Sequence, residues 1–151
     1  MPVPRTVVRG SGMFVPEGVV TNERMSLLMD TTDEWIRQRT GIAQRRYARS
    51  GTSSCDLGIE AAKRALENAA LRAGEIDLIV FATMTPAHYF PGNGGLLAAR
   101  LGMPMTHALD IRMQCAGFLS GLQTADAFIR SVPDWPGERP GAPWPFIMMA
   151  S

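Results

Sequence analysis

Asp77-Leu78-Ile79-Val80-Phe81-Ala82-Thr83 is an apolar run with no polar–apolar alternation. Alternation marks a strand with one wet face; its loss over so short a run marks a strand covered on both faces, as in a parallel sheet between helix layers. Residues 106–113 and 146–150 read as two more buried strands. Between them lie a loop at 84–95 rich in Pro and Gly, a short helix over 96–101 ending at Gly102, and a helix over 116–131. Upstream, residues 53–73 predict the longest helix. Ser53 and Asp56 have capping-box spacing, and positions 62, 65, 66, 69, 70 and 73 follow the helical repeat. Most of these are Ala, which lets a helix pack closely, and Gly74 stops it. Residues 6–13 read as a first strand, its Gly10 and Gly12 marking a bend or a close backbone approach. This order implies a three-layer α/β arrangement, its largely parallel sheet lying between helices.

Two local patterns refine the N-terminal region. Asn22 is placed to cap a helix running to Asp30, with Met25, Leu28 and Met29 on one face. In Thr32-Asp33-Glu34-Trp35-Ile36-Arg37-Gln38-Arg39-Thr40-Gly41, Thr32 is the N-cap and acids fill the first turn. Bases fill the last turn, and Gly41 takes the left-handed position after it. The charges run with the helix dipole, so a short helix is expected. Arg45, Arg46 and Arg49 follow on the surface. Residues 132–145 hold five prolines and two glycines and read as an irregular surface loop. The last strand has no helix after it, an unusual place for an α/β domain to finish.

Composition narrows the function. The 151 residues carry 15 Lys and Arg against 14 Asp and Glu, a formal net charge of +1. That balance argues against nucleic acid as a partner, which calls for a basic face. No stretch reaches the roughly 18 apolar residues of a membrane span, and the N-terminus lacks a secretory pattern. Cys55 and Cys115 stand sixty positions apart. Neither a disulfide framework nor a zinc ribbon is expected, which favours a cytoplasmic setting. The ten Met residues read as core filling rather than metal ligands.

The residue best placed for chemistry is Cys115, in Leu109-Asp110-Ile111-Arg112-Met113-Gln114-Cys115-Ala116-Gly117-Phe118. It follows a strand and opens a helix, where the dipole and unpaired N–H groups stabilise a thiolate. The strand's carboxyl end is also where α/β sheets place their sites. The alternative is a small buried hydrophobe, and Cys55 reads that way. His88 and His107 are the two imidazoles, and neither adjoins Cys115 in sequence. Trp35 with Arg37 and Arg39 suits either a nucleotide platform or a half-buried ring among solvated charges. The glycines at 92, 94 and 95 are a weak hint of a phosphate loop, since no Lys-Ser/Thr follows them.

Taken together, Asp30-Thr31-Thr32-Asp33-Glu34-Trp35-Ile36, Arg39-Thr40-Gly41-Ile42, Ala87-His88-Tyr89-Phe90-Pro91 and Cys115-Ala116-Gly117-Phe118 resemble the N-terminal half of β-ketoacyl-ACP synthase III. These are thiolase-fold condensing enzymes, and the likeness covers about residues 5–131. The resemblance implies that Cys115 is the acyl-accepting nucleophile. It also implies that Thr31, Trp35, Arg39 and Thr40 contact coenzyme A, with Trp35 stacking on adenine, and that Phe90 crosses a dimer interface to line the partner's acyl pocket. An acyl-CoA would load Cys115, and malonyl-ACP, by decarboxylation, would supply the carbanion. Coenzyme A thioester is then a substrate, with no permanently bound cofactor and no metal.

The family's catalytic His and Asn belong to a second half of the fold. The expectation is therefore that residues 1–151 form one N-terminal thiolase-like half-domain needing a C-terminal partner half. A non-catalytic half that binds coenzyme A or dimerises is the alternative. Met113-Gln114 and Gly92-Asn93-Gly94-Gly95 depart from the family pattern.

Overall fold

The computed structural model describes residues 6–103, 105–131 and 146–150. The chain divides into two compact units, one built from the N-terminal segment through Phe14 together with Ser53 onward, the other from Val15–Thr52.

The larger unit is built on the strand first singled out. β3 (Leu78–Ala82) lies between β4 (His107–Ile111) and β5 (Phe146–Ala150), parallel to both. Its side chains alternate between two covered faces. Ile79 and Phe81 join Ile147 in a core completed by Cys55, Ile59, Ala62 and Leu66 of α3 (Ser54–Ala69) and by Leu97 and Ala98 of α4 (Asn93–Arg100). On the other face, a Cβ added at Gly117 of α5 (Gly117–Ser131) would lie 3.3 Å from the Ala82 side chain. Helices thus cover both faces of a parallel sheet, the expected three layers.

Several boundaries differ from the sequence reading, each for a physical reason. Residues 6–13 form no strand among the described residues. They run without regular structure over α3, where a Cβ at Gly10 would sit 2.7 Å from Ala69 and one at Gly12 would meet the Ala61 carbonyl. The glycines mark the close approach and the alanines of α3 accommodate it. The segment bonds to side chains instead of a ladder: Ser11 N–H donates to Asn68 Oδ1 at 3.0 Å, and Arg64 donates to the Met13 carbonyl at 2.7 Å. α3 carries the predicted capping box, with Ser53 and Asp56 bonded reciprocally. It ends at Ala69, earlier than residue 73, because Ala70 turns left-handed at φ 54° and Leu71 N–H closes onto the Leu66 carbonyl at 3.0 Å. A single 3₁₀ turn, Ala73–Glu75, follows. α4 starts at Asn93, three residues before the predicted start, and β4 is shorter and more exposed than the buried strand expected over 106–113. No strand covers the outer edge of β4 among the described residues. The irregular loop expected at 132–145 lies outside the described residues.

The smaller unit pairs β1 (Gly18–Thr21) antiparallel with β2 (Gln44–Tyr47), joined through α1 (Asn22–Ser26) and α2 (Asp33–Thr40). Asn22 is not the cap; Thr21 is, and α1 stops at Ser26 instead of reaching Asp30. Asn22 is fully buried. Its amide donates to Asp33 Oδ1 at 2.7 Å and to the Ile42 carbonyl at 2.8 Å, while its oxygen accepts from Arg45 at 2.8 Å. One side chain thereby ties α1, α2 and β2 together. α2 forms as predicted: Thr32 accepts the Trp35 N–H at 3.1 Å, and Gly41 takes φ 71° at the end.

Candidate active site

Cys115 lies in the turn between β4 and α5, two residues ahead of Gly117, and is exposed. The turn closes with Gly117 N–H donating to the Gln114 carbonyl at 2.8 Å, and the helix ladder begins with Ser120 N–H on the Ala116 carbonyl at 2.9 Å. The sulfur is neither inside a helix nor sealed in hydrocarbon. It stands at the carboxyl end of a parallel sheet, beside the helix end that carries partial positive charge. The thiol is open to solvent.

Cys55 is the contrast. It is 2% exposed in the first turn of α3, and burial pushes its thiol above the ordinary range. A thiol held protonated and enclosed is a packing group, as its sequence context indicated.

The glycine-rich turn before α4 is filled by a group of the chain's own. The Asp110 carboxylate, on β4, accepts the N–H of Asn93 at 2.7 Å and of Gly94 at 3.0 Å. A Cβ at Gly92 (φ 103°) would lie 2.7 Å from that carboxylate, and one at Gly94 would lie 2.9 Å from it. The glycines thus let backbone wrap an internal anion, which replaces the phosphate reading. Asn93, fully buried, completes the knot: its oxygen accepts the Ala87 N–H at 2.8 Å and its amide donates to Ser54 Oγ at 2.9 Å. Between these anchors the chain carries Tyr89 and Phe90 outward, Phe90 being 92% exposed. Arg112 holds Tyr89 twice, donating to its carbonyl at 3.0 Å and lying 4.5 Å over its ring. Asp110, Arg112 and Asn93 escaped the sequence reading; the paired glycines were the signal available for them.

In the smaller unit, Trp35 is half-exposed on α2 and the Arg39 guanidinium lies 5.1 Å over its ring. Thr40 donates its hydroxyl to the Ile36 carbonyl at 2.7 Å and accepts the Ile42 N–H at 3.1 Å. Thr31, just ahead of the helix, has a buried hydroxyl with no hydrogen-bond partner among the described residues. Arg37 is taken up by Asp33 at 2.7 Å, and this bond with that of Asn22 lowers the Asp33 carboxyl below its ordinary range. Arg39 and Trp35 thus form the cationic aromatic pair of this helix.

His88 and His107 are both exposed. No group of acidic, His and Cys side chains suited to a metal ion occurs among the described residues, and none of their helices is long and apolar enough to cross a membrane.

No protein-family model matches the chain. It is 44% identical over 126 residues to the β-ketoacyl-[acyl-carrier-protein] synthase III of Hyphomonas neptunium, covering 83% of this chain and 39% of that protein. Among solved structures, 3-oxoacyl-[acyl-carrier-protein] synthase III from Aquifex aeolicus superposes with TM-score 0.77 at 43% identity, over 81% of this chain and 39% of that one. The priming β-ketosynthase of the R1128 polyketide pathway gives TM-score 0.79 at 34% identity, over 86% and 41%. The chain thus spans about two-fifths of the length of the relatives it matches. By sequence and by its three-layer thiolase-like fold, this chain is similar to the N-terminal portion of the β-ketoacyl-ACP synthase III enzymes.

Proposed function

We propose that this protein is an acyltransferase in which Cys115 accepts an acyl group from acyl-CoA and passes it to malonyl-ACP, in fatty-acid or related biosynthesis. The exposed sulfur in the strand-to-helix turn carries the reading. Its thiolate attacks the thioester carbonyl; the tetrahedral oxyanion is met by the Cys115 backbone N–H; coenzyme A leaves as its thiolate, which takes a proton from water, and the acyl group stays on sulfur. Malonyl-ACP then loses carbon dioxide, and its carbanion attacks the acyl carbonyl, which leaves β-ketoacyl-ACP and restores the Cys115 thiolate. Residues 1–151, as an N-terminal half-domain, supply the loading step. Condensation draws on a His and an Asn from a C-terminal half.

Thr31, Trp35, Arg39 and Thr40 form the coenzyme A contact in this reading. The half-exposed Trp35 ring offers a face for adenine and Arg39 a charge for phosphate. The unpartnered Thr31 hydroxyl supports it, because a buried hydroxyl without a partner is costly unless a ligand completes it. The exposure of Phe90 supports a role in the acyl pocket of a homodimer mate. The enzyme works in the cytoplasm, with coenzyme A thioester as substrate and no resident cofactor.

The test is incubation of the protein with acyl-CoA, with intact mass and released thiol measured together. One acyl group per chain and an equal release of coenzyme A are expected, both lost in Cys115→Ser. Equal acylation of the Ser variant would falsify the assignment.

A further inference from the structure

Arg112 and Asp110 lie three and five positions before Cys115 on one run of chain, and both reach into the segment that carries Phe90. Asp110 fixes the segment's far end through the N–H groups of Asn93 and Gly94. Arg112 fixes its near end through the Tyr89 carbonyl and ring. Asn93 closes the base by accepting the Ala87 N–H. Phe90 stands between these anchors with its ring in solvent, and the Tyr89 carbonyl belongs to the peptide unit leading directly into it. The strand end that delivers the nucleophile is therefore also the mount for this aromatic.

We infer that Arg112 is a positioning residue: by holding Tyr89 it sets the placement of Phe90 and so the size of acyl group the enzyme accepts. This rests on the proposed acylation of Cys115 and on Phe90 lining an acyl pocket. A planar guanidinium suits the task because it stacks on a ring while donating in its own plane; a lysine ammonium donates without stacking. The Asp110 anchor is partly buried. The Arg112 anchor is exposed and can be removed without opening the core.

The experiment uses the full protein, with Arg112→Ala, Arg112→Lys and Tyr89→Leu variants. Acylation rates of Cys115 with short, branched and medium-chain acyl-CoAs give a selectivity ratio. Amide exchange over residues 84–94 reports the clamp itself, and alkylation by iodoacetamide reports the thiol. Arg112→Ala is expected to raise exchange over 84–94 and to shift the short-to-medium ratio by roughly tenfold, the scale on which a pocket wall discriminates a methylene. Arg112→Lys should fall between it and the unmutated protein, and alkylation should stay unchanged.

An unaltered ratio in Arg112→Ala overturns the inference, with or without faster exchange. So does an alkylation rate that falls in step with acylation, since Arg112 would then act on the thiol. If no acyl-CoA labels the unmutated protein, the assignment of Cys115 fails first and this inference with it.

Discussion

A thiol takes an acyl group from a thioester only where the thiolate forms and the donor can reach it. Cys115 and Cys55 divide on this point, one exposed in a turn and the other enclosed in α3. At the same scale, Trp35→Ala should raise the KM for acyl-CoA several-fold and leave kcat nearly unchanged. A stacked aromatic contributes about 1 kcal/mol, and this one would hold a part of the substrate remote from the reacting bond. Steady-state loading kinetics check it. Asp56 supplies a pH prediction. Bonds from Ser53 and then Arg100 hold its carboxyl well below the carboxylate range. A depressed folded value stabilises the protein above the unfolded pKa, near 3.9, and that stability is lost as pH falls through the folded value. Asp56→Asn should therefore lower stability at neutral pH and lose less on acidification, as read by denaturant melts across the acid range.

Elements show why some of this structure was legible from residues and some was not. α2 was legible throughout because its determinants are local: cap, first-turn acids, last-turn bases and Gly41 all act within four residues. The start of α4 was not, because its N–H groups bond to Asp110, on a strand that comes later in the chain. β1 and β2 were missed since Gln44-Arg45-Arg46-Tyr47 shows no apolar alternation. The end of α3 was missed since an alanine occupies the left-handed position where glycine is the usual signal. That alanine carries strain of about 1 kcal/mol. Ala70→Gly should raise unfolding stability by about that amount, visible as a higher denaturant midpoint with unchanged slope. Gly92→Ala, in contrast, puts a methyl group against the Asp110 carboxylate at φ 103°. It should cost about 2 kcal/mol or more, measured in the same melts.

For the whole molecule, apolar residues left on the surface matter most. Val7, Val8, Phe90, Met105, Phe118 and Leu119 are all more than half exposed in the larger unit. Exposed apolar patches drive association, so the 151 residues expressed alone should self-associate in light scattering; a monodisperse monomer would contradict this. The three-layer fold was readable from one unalternating strand and the helices around it. The candidate site was half readable: the turn at Cys115 stood out locally, whereas the contacts of Arg112 and Asp110 with the segment carrying Phe90 exist only once the chain is folded. The most direct measurement is peptide mapping of the protein after exposure to acyl-CoA. The acyl mass should fall on the tryptic peptide spanning residues 113–130. Acyl label on the peptide spanning 50–63, which holds Cys55, or on neither peptide, would contradict the account.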